Sequence, residues 1–290
     1  MNALKTGFLL AVLTAFFILI GKLIGGSTGM WFAFVFAMIM NIASYWKGDK
    51  IILLMFKKQN IRELGENDYQ NLSNIFANVC KKANMTGPKI YIYDDEKPNA
   101  FATGRDNEHS LVAVSTSLVE KLNDDELEGV LAHELAHIEN MDTLIASIAA
   151  TFAGAISIIA SIIKWSLIFS AFRGNRGTGN IVGHILIAIL APIIALIIQM
   201  AISRTREYKA DYTAAQITSK PPALASALNK IHDHMLSCVG KPDLNEERNT
   251  ATSHLFIISP LVGGIISKLF SSHPPVEERT KRLMALKPLS

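Results

Sequence analysis

Leu-Ala-His-Glu-Leu-Ala-His-Ile-Glu-Asn, residues 131–140, sets His133, Glu134 and His137 in an H-E-x-x-H pattern. Residues four apart on a helix lie one above the other, so both imidazoles leave the same face and can grip one metal ion, with Glu134 beside them as a proton acceptor. The same five residues also arise by chance, and on a solvated helix they would only decorate a surface. The flanking sequence supports the helix. Asn123-Asp124-Asp125-Glu126 offers a capping-box analogue, with Asn123 as cap and Glu126 at the third helical position. Leu127, Val130, Leu131 and Ile138 then continue a buried face.

Upstream, Leu72, Ile75, Phe76 and Val79 recur at helical spacing, which predicts a helix over 68–84 with Asp68 as its N-cap. After the breaker Gly87-Pro88, the runs Lys89–Asp94, Asn99–Gly104 and Ser110–Val114 are short and rich in β-branched or aromatic residues. They read as a small antiparallel sheet.

A catalytic metal needs a third protein ligand and an open position for water. The segment Ser203–Asp211 follows an apolar stretch directly and carries Glu207 and Asp211. His137 lies about six residues before the stretch Thr143–Phe172, and Glu207 about five after the stretch Ile181–Ile202. At ~1.5 Å of rise per residue, an antiparallel hairpin would carry both to ~7–9 Å above one membrane face. Geometry thus favours Glu207 as third ligand. Asp211, one turn on, could accept a hydrogen bond from a ligand's ring N–H. Salt bridges to Arg204, Arg206 and Lys209 are the alternative for both acids.

Half of the 290 residues are hydrophobic, and the apolar ones are clumped rather than periodic. Gly7–Ile24 and Met30–Trp46 each approach the roughly 20 residues that cross a bilayer, and Gly25–Gly29 would link them as a helical hairpin. A cleaved signal peptide is the alternative for the first. Thr143–Phe172 and Ile181–Ile202 form a second pair, interrupted by Lys164, His184, Pro192 and Gln199; these suit an intramembrane cavity, or a hairpin only partly inserted. With four spans, Lys5, Lys47, Lys50, Lys57, Lys58, Arg62, Arg204, Arg206 and Lys209 share one side, against Lys22, Arg173 and Arg176 on the other. That asymmetry places both termini and the polar segments in the cytoplasm. The expected division is a transmembrane hairpin (1–46), a first part of a cytoplasmic catalytic domain (47–142), a second hairpin (143–202) and the second part of that domain (203–290). The net charge of +3 forms no basic stripe, which argues against nucleic acid as a partner. Cys80 and Cys238 are too few for a disulfide framework and lack metal-ligand spacing.

Several motifs in one order resemble the HtpX family of bacterial membrane-bound zinc endopeptidases, within the broader group that includes the eukaryotic CAAX prenyl endopeptidases. They are Asn99-Ala100-Phe101-Ala102-Thr103-Gly104, Ser110–Thr116, the H-E-x-x-H, Glu207-x-x-x-Asp211 and His273-Pro274-Pro275-x-Glu277-x-Arg279. Where the family commonly has Asn-Gly-Asp after the second histidine, this chain has Asn140-Met141-Asp142, which leaves the bend there open. The resemblance implies an α+β zincin-like domain, mainly helical, on two transmembrane hairpins in the cytoplasmic (inner) membrane. It implies one zinc ion held by His133, His137 and Glu207, with Glu134 as general base, and unfolded or membrane proteins as quality-control substrates, beside membrane lipid. Asn99, Ala100, Phe101, Ala102 and Thr103 resemble the edge strand that pairs with extended substrates, though they could equally be an ordinary strand. For the oxyanion donor His273 leads, with Arg279, Tyr208 and Tyr212 also open.

Three other readings remain at this point: prenyl-protein processing, a transporter, and a scaffold or chaperone stabilised by structural zinc. The last needs a fourth ligand, from His273 or His109. His232 and His234 form an H-x-H better suited to a solvated or core role. The oligomeric state is not legible in the chain.

Overall fold

The structure, a computed structural model, describes residues 2–65, 68–172, 204–237, 255, 257 and 274–286. Ile181–Ile202, Cys238 and His273 lie outside them. In chain order the elements are α1 (Asn2–Met55), a 3-10 turn (Lys57–Gln59), β1 (Arg62–Glu63), α2 (Gln70–Lys82), β2 (Lys89–Tyr93), β3 (Ala100–Gly104), β4 (Ser110–Ser115), α3 (Thr116–Lys121), α4 (Asp124–Glu139), α5 (Asp142–Phe172), α6 (Arg204–Thr218), α7 (Pro221–Ser237) and α8 (Val276–Ala285). The described residues are mostly helical, with one small sheet among them.

Gly25 and Gly26 break α1, and Gly26 takes φ 60°, ψ −143°, a conformation open to glycine alone at little cost. The chain reverses there. Asn41 Nδ2 donates to Thr14 Oγ1 at 2.9 Å, and the Phe17 and Phe36 rings lie 5.4 Å apart. Two glycines suffice for the turn, so residues 27–29 already belong to the returning arm. Among the described residues one helical segment, Gly25–Met55, is long and apolar enough to cross a membrane, with shorter apolar segments at Thr6–Lys22 and Asp142–Ser157. Phe8, Trp31, Phe32, Ile39, Ile42 and Leu54 are all exposed, an apolar surface that water alone would not favour. The start of α5 packs on the two arms through Ile145, Ile148, Phe152 and Ile156, against Leu9, Leu13, Phe17 and Ala37.

The sheet runs β1-β2-β4-β3. It is mixed, not antiparallel as its strands suggested, because β2 pairs with β4 in parallel while β3–β4 and β1–β2 are antiparallel. After β2 the chain crosses to the far edge before turning back as β4, which leaves β4 in the middle. One face (Ile90, Ala100, Ala102, Val112, Val114) meets α2 and α4; the other (Tyr93, Phe101, Leu111, Ala113) meets Ile52 of α1, Phe56 just after it and Ala150 of α5. Burial on both sides explains the continuous apolar runs without alternation.

A second correction concerns α2. Its N-cap is Tyr69 in the left-handed region (φ 44°), while Asp68 is ion-paired with Arg62 instead of capping. In α4 the expected capping box is present: Glu126 N–H donates to Asn123 Oδ1 (3.0 Å) and Asn123 N–H to Glu126 Oε2 (2.9 Å). Gly129 lets α7 close on α4, since a Cβ there would sit 3.2 Å from the Leu224 backbone. At the α4–α5 joint Met141 occupies the left-handed position (φ 56°) usual for glycine, a strain of roughly 1–2 kcal/mol for a side-chain-bearing residue.

Candidate active site

α6 packs along α4 and brings Glu207 to the two histidines. His133 Nε2 and His137 Nε2 are 3.2 Å apart, and the Glu207 carboxylate oxygens stand 3.7 Å from the first and 3.6 Å from the second. A tetrahedral ion with bonds of about 2.0–2.2 Å has edges of about 3.3–3.6 Å, so these separations fit one ion of zinc's size. The two imidazole planes are perpendicular, which aims both nitrogens inward. His133 and Glu207 are buried, and His137 is slightly open.

Each histidine is backed on its far nitrogen by a carboxylate that is itself held by an arginine. His133 Nδ1 lies 3.0 Å from Asp211 Oδ1, although the ring tilt takes its N–H off the line to that oxygen. Arg279 of α8, fully buried, grips Asp211 through two bonds of 2.8 and 2.7 Å. Its third nitrogen donates to Ile257 O at 3.1 Å and lies 3.6 Å from Glu207. Burial opposes ionisation of Asp211, yet the Arg279 guanidinium holds it down to about 2. Burial likewise opposes charge on His133, but Asp211 and Glu207 push it up to about 9 when no metal is present. His137 Nδ1 lies 3.3 Å from Asp142 Oδ2, and Arg206 reaches the other oxygen at 3.4 Å.

Glu134 is buried beside the metal position. Burial pushes its carboxyl up, against the pull of His133 and His137 and of the Ala102 N–H that faces it. Glu134 thus stands against β3, an edge strand of the sheet. Within β3 the predicted substrate residues divide. Asn99, just before the strand, is committed to the scaffold: its side chain donates to Tyr93 Oη (3.0 Å) and accepts from Ile257 N–H (3.0 Å), and its main chain pairs with Ser115. Phe101 is core, with its ring 4.7 Å from Phe56. Thr103 Oγ1 lies 2.7 Å from Ser147 Oγ of α5. Ala100 and Ala102 direct their backbone groups away from β4, because Asn99, Phe101 and Thr103 hold the ladder positions.

Of the proposed oxyanion donors, Tyr208 stacks under Arg282 at 3.7 Å, Tyr212 is half exposed and accepts from Gln216, and Arg279 is occupied by Asp211. His109 pairs with Asp106 at 2.7 Å, and His232 and His234 lie on α7; none joins the metal group, which among the described residues is His133, His137 and Glu207. Two functional placements were missed in the sequence. Asp142 backs His137, and its position five residues beyond that histidine, just past the end of α4, was available as a signal. Arg279 as the partner of Asp211, 68 residues away, had no local signal.

A sequence profile described as peptidase family M48 matches residues 66–287. The protease HtpX homolog of Desulfatibacillum aliphaticivorans is 46% identical over 291 residues, covering 100% of this chain and 91% of that protein. The protease HtpX homolog of Persephonella marina is 48% identical, covering 98% and 96%, and that of Pyrococcus furiosus is 48% identical, covering 96% and 94%. The crystal structure of S. mikatae Ste24p shares the fold, with a TM-score of 0.50 at 20% identity; the match covers 97% of this chain and 65% of that one. Site geometry and relatives thus agree: the chain belongs to peptidase family M48 and is a membrane metalloprotease.

Proposed function

We propose that the protein is a zinc endopeptidase that cleaves unfolded or damaged proteins, soluble or membrane-borne, for quality control at the cytoplasmic membrane. The observation that carries this reading is the tetrahedral spacing of His133, His137 and Glu207 with Glu134 buried beside them. One zinc in this position supplies Lewis acidity to water and to the scissile carbonyl. The Glu134 carboxylate, kept basic by burial, takes a proton from the attacking water and delivers it to the leaving amine. Asp211 and Asp142 hold the two imidazoles in orientation. An extended substrate pairs with the outward N–H and C=O of Ala100 and the C=O of Ala102, a recognition that reads backbone more than sequence and so suits varied substrates. His273 is the proposed oxyanion donor.

The anchor in this reading is two spanning hairpins, with both termini and the catalytic parts in the cytoplasm. Its support is the reversal of α1, the exposed apolar surface and the Lys/Arg asymmetry. The division at 46, 142 and 202 is supported by packing: one core joins residues of 72–138 to 214–283, and another joins 9–37 to 145–156. The test is metal removal. Chelation should abolish cleavage of an unfolded casein, one equivalent of zinc should restore it, and His133→Ala, His137→Ala and Glu207→Ala should each lose the ion. Full retention of tightly bound zinc by Glu207→Ala would exclude the assigned ligand set.

A further inference from the structure

A cavity of about 420 Å³, within the range of small-ligand sites, lies between the end of the second α1 arm, the β3–β4 turn and the start of α5. Gly48 and Ser147 meet on its wall, where a Cβ on Gly48 would stand 3.2 Å from the serine Cβ. Its charge is positive. Lys47 and Lys50 line it, both exposed and, among the described residues, without an acidic ion-pair partner; Arg105 adds a third cation, held 4.6 Å over the Trp46 ring and linked to Asp106. Asp49 is the one acid among the lining residues, and His109 faces in while paired with Asp106.

The cavity's place is as telling as its charge. It opens where the apolar run of α1 ends, at the exposed Tyr45 and Trp46, the position of an interfacial aromatic belt. α1 departs from helical geometry at Lys47 (φ −132°), and Lys47, Gly48, Asp49 and Lys50 line the cavity. A basic, roomy pocket just on the polar side of such a belt matches the chemistry of a phosphodiester headgroup. We propose that it binds a phosphate group, carried by an anionic lipid of the surrounding leaflet. Its inner wall is Ser147, whose hydroxyl also accepts from Gly104 N–H at 3.3 Å and contacts Thr103, so an occupant sits against the far end of β3. This inference rests on the membrane placement proposed above, not on the metal chemistry.

The test uses full-length protein in neutral detergent, with bound phosphatidylglycerol counted by native mass spectrometry and competed with inorganic phosphate. Wild type should retain the lipid, and Lys47→Gln/Lys50→Gln should bind it roughly 25-fold more weakly, about fivefold per lysine. Both lysines are exposed, so the variant should keep its zinc and its casein cleavage. Displacement by millimolar phosphate would support the site with the bare anion as a sufficient ligand; lipid that resists phosphate would support a lipid-borne source. Equal lipid binding by wild type and variant would overturn the proposal. A wild type that binds lipid yet cleaves nothing would break the peptidase reading and leave this one standing.

Discussion

The two histidines of the candidate metal site are held by parallel devices of unequal quality. Behind His133 stand Asp211 and a fully buried Arg279, joined by two bonds of 2.7 and 2.8 Å. Behind His137 stand Asp142 and Arg206 at 3.3 and 3.4 Å, with the histidine partly open. A charge pair in a dry site is strong while whole and costly once broken, whereas a looser pair near water can be replaced by solvent. The first device therefore fixes the site, and the second trims it. Their locations differ too: Arg279 ties α8 to α6, while Asp142 heads α5, the helix packed on the α1 hairpin.

Arg279→Gln should have the largest effect, because it strands the Asp211 and Glu207 charges in the interior. Denaturant unfolding should show a loss of about 3–5 kcal/mol, and zinc content should fall with it. Next comes Asp211→Asn, which keeps shape but removes the charge behind His133; zinc affinity by competition with a chelator dye should drop about 10–100-fold. The matching Asp142→Asn should cost less, about tenfold or under, and Arg206→Gln about 1 kcal/mol or under. Equal losses for the two aspartate variants would remove the distinction between the devices.

The pH response sharpens the same contrast. In the metal-free protein His133 has a folded value of about 9, above its ordinary 6.5. Its contribution to stability is complete below pH 6.5 and is lost as the pH rises through 9. Zinc needs the neutral ring, so its affinity should climb over that interval, by up to about tenfold per unit, with a proton released on binding. Calorimetry in buffers of different ionisation heat would read that proton. Asp211 works at the acid end: its value of about 2 lies below the ordinary 3.8, so its contribution is present above pH 3.8 and disappears as the pH falls through 2. The smallest effect belongs to the joint between the devices. Met141→Gly should raise the unfolding free energy slightly, by about 1 kcal/mol or under, through relief of the left-handed backbone.

What could be read from residues alone follows the range of the interactions. The α4 cap, the shared face of His133 and His137, and the reversal at Gly25-Gly26 depend on neighbours within a few positions, and their signals were local. Glu207 was placed by counting helical rise from an apolar boundary, a longer argument that used only chain geometry. The sheet order was not legible, because strands buried on both faces carry no alternation and nothing local tells β2 to choose β4. Asp68 was misread for a similar reason: a good capping residue is also a good ion-pair partner, and Arg62 on β1 competed for it. Asp211 was assigned a role behind a histidine, with salt bridges to Arg204, Arg206 and Lys209 as the alternative; the arginine that holds it comes from α8, too far along the chain for a local signal.

The most direct test of the central claim is casein cleavage by purified wild type and Glu134→Gln, with zinc measured in both. The account predicts about one zinc per chain in each and cleavage by wild type alone. Undiminished cleavage by Glu134→Gln at full zinc occupancy would contradict it, since the buried Glu134 carboxylate would then not be the base.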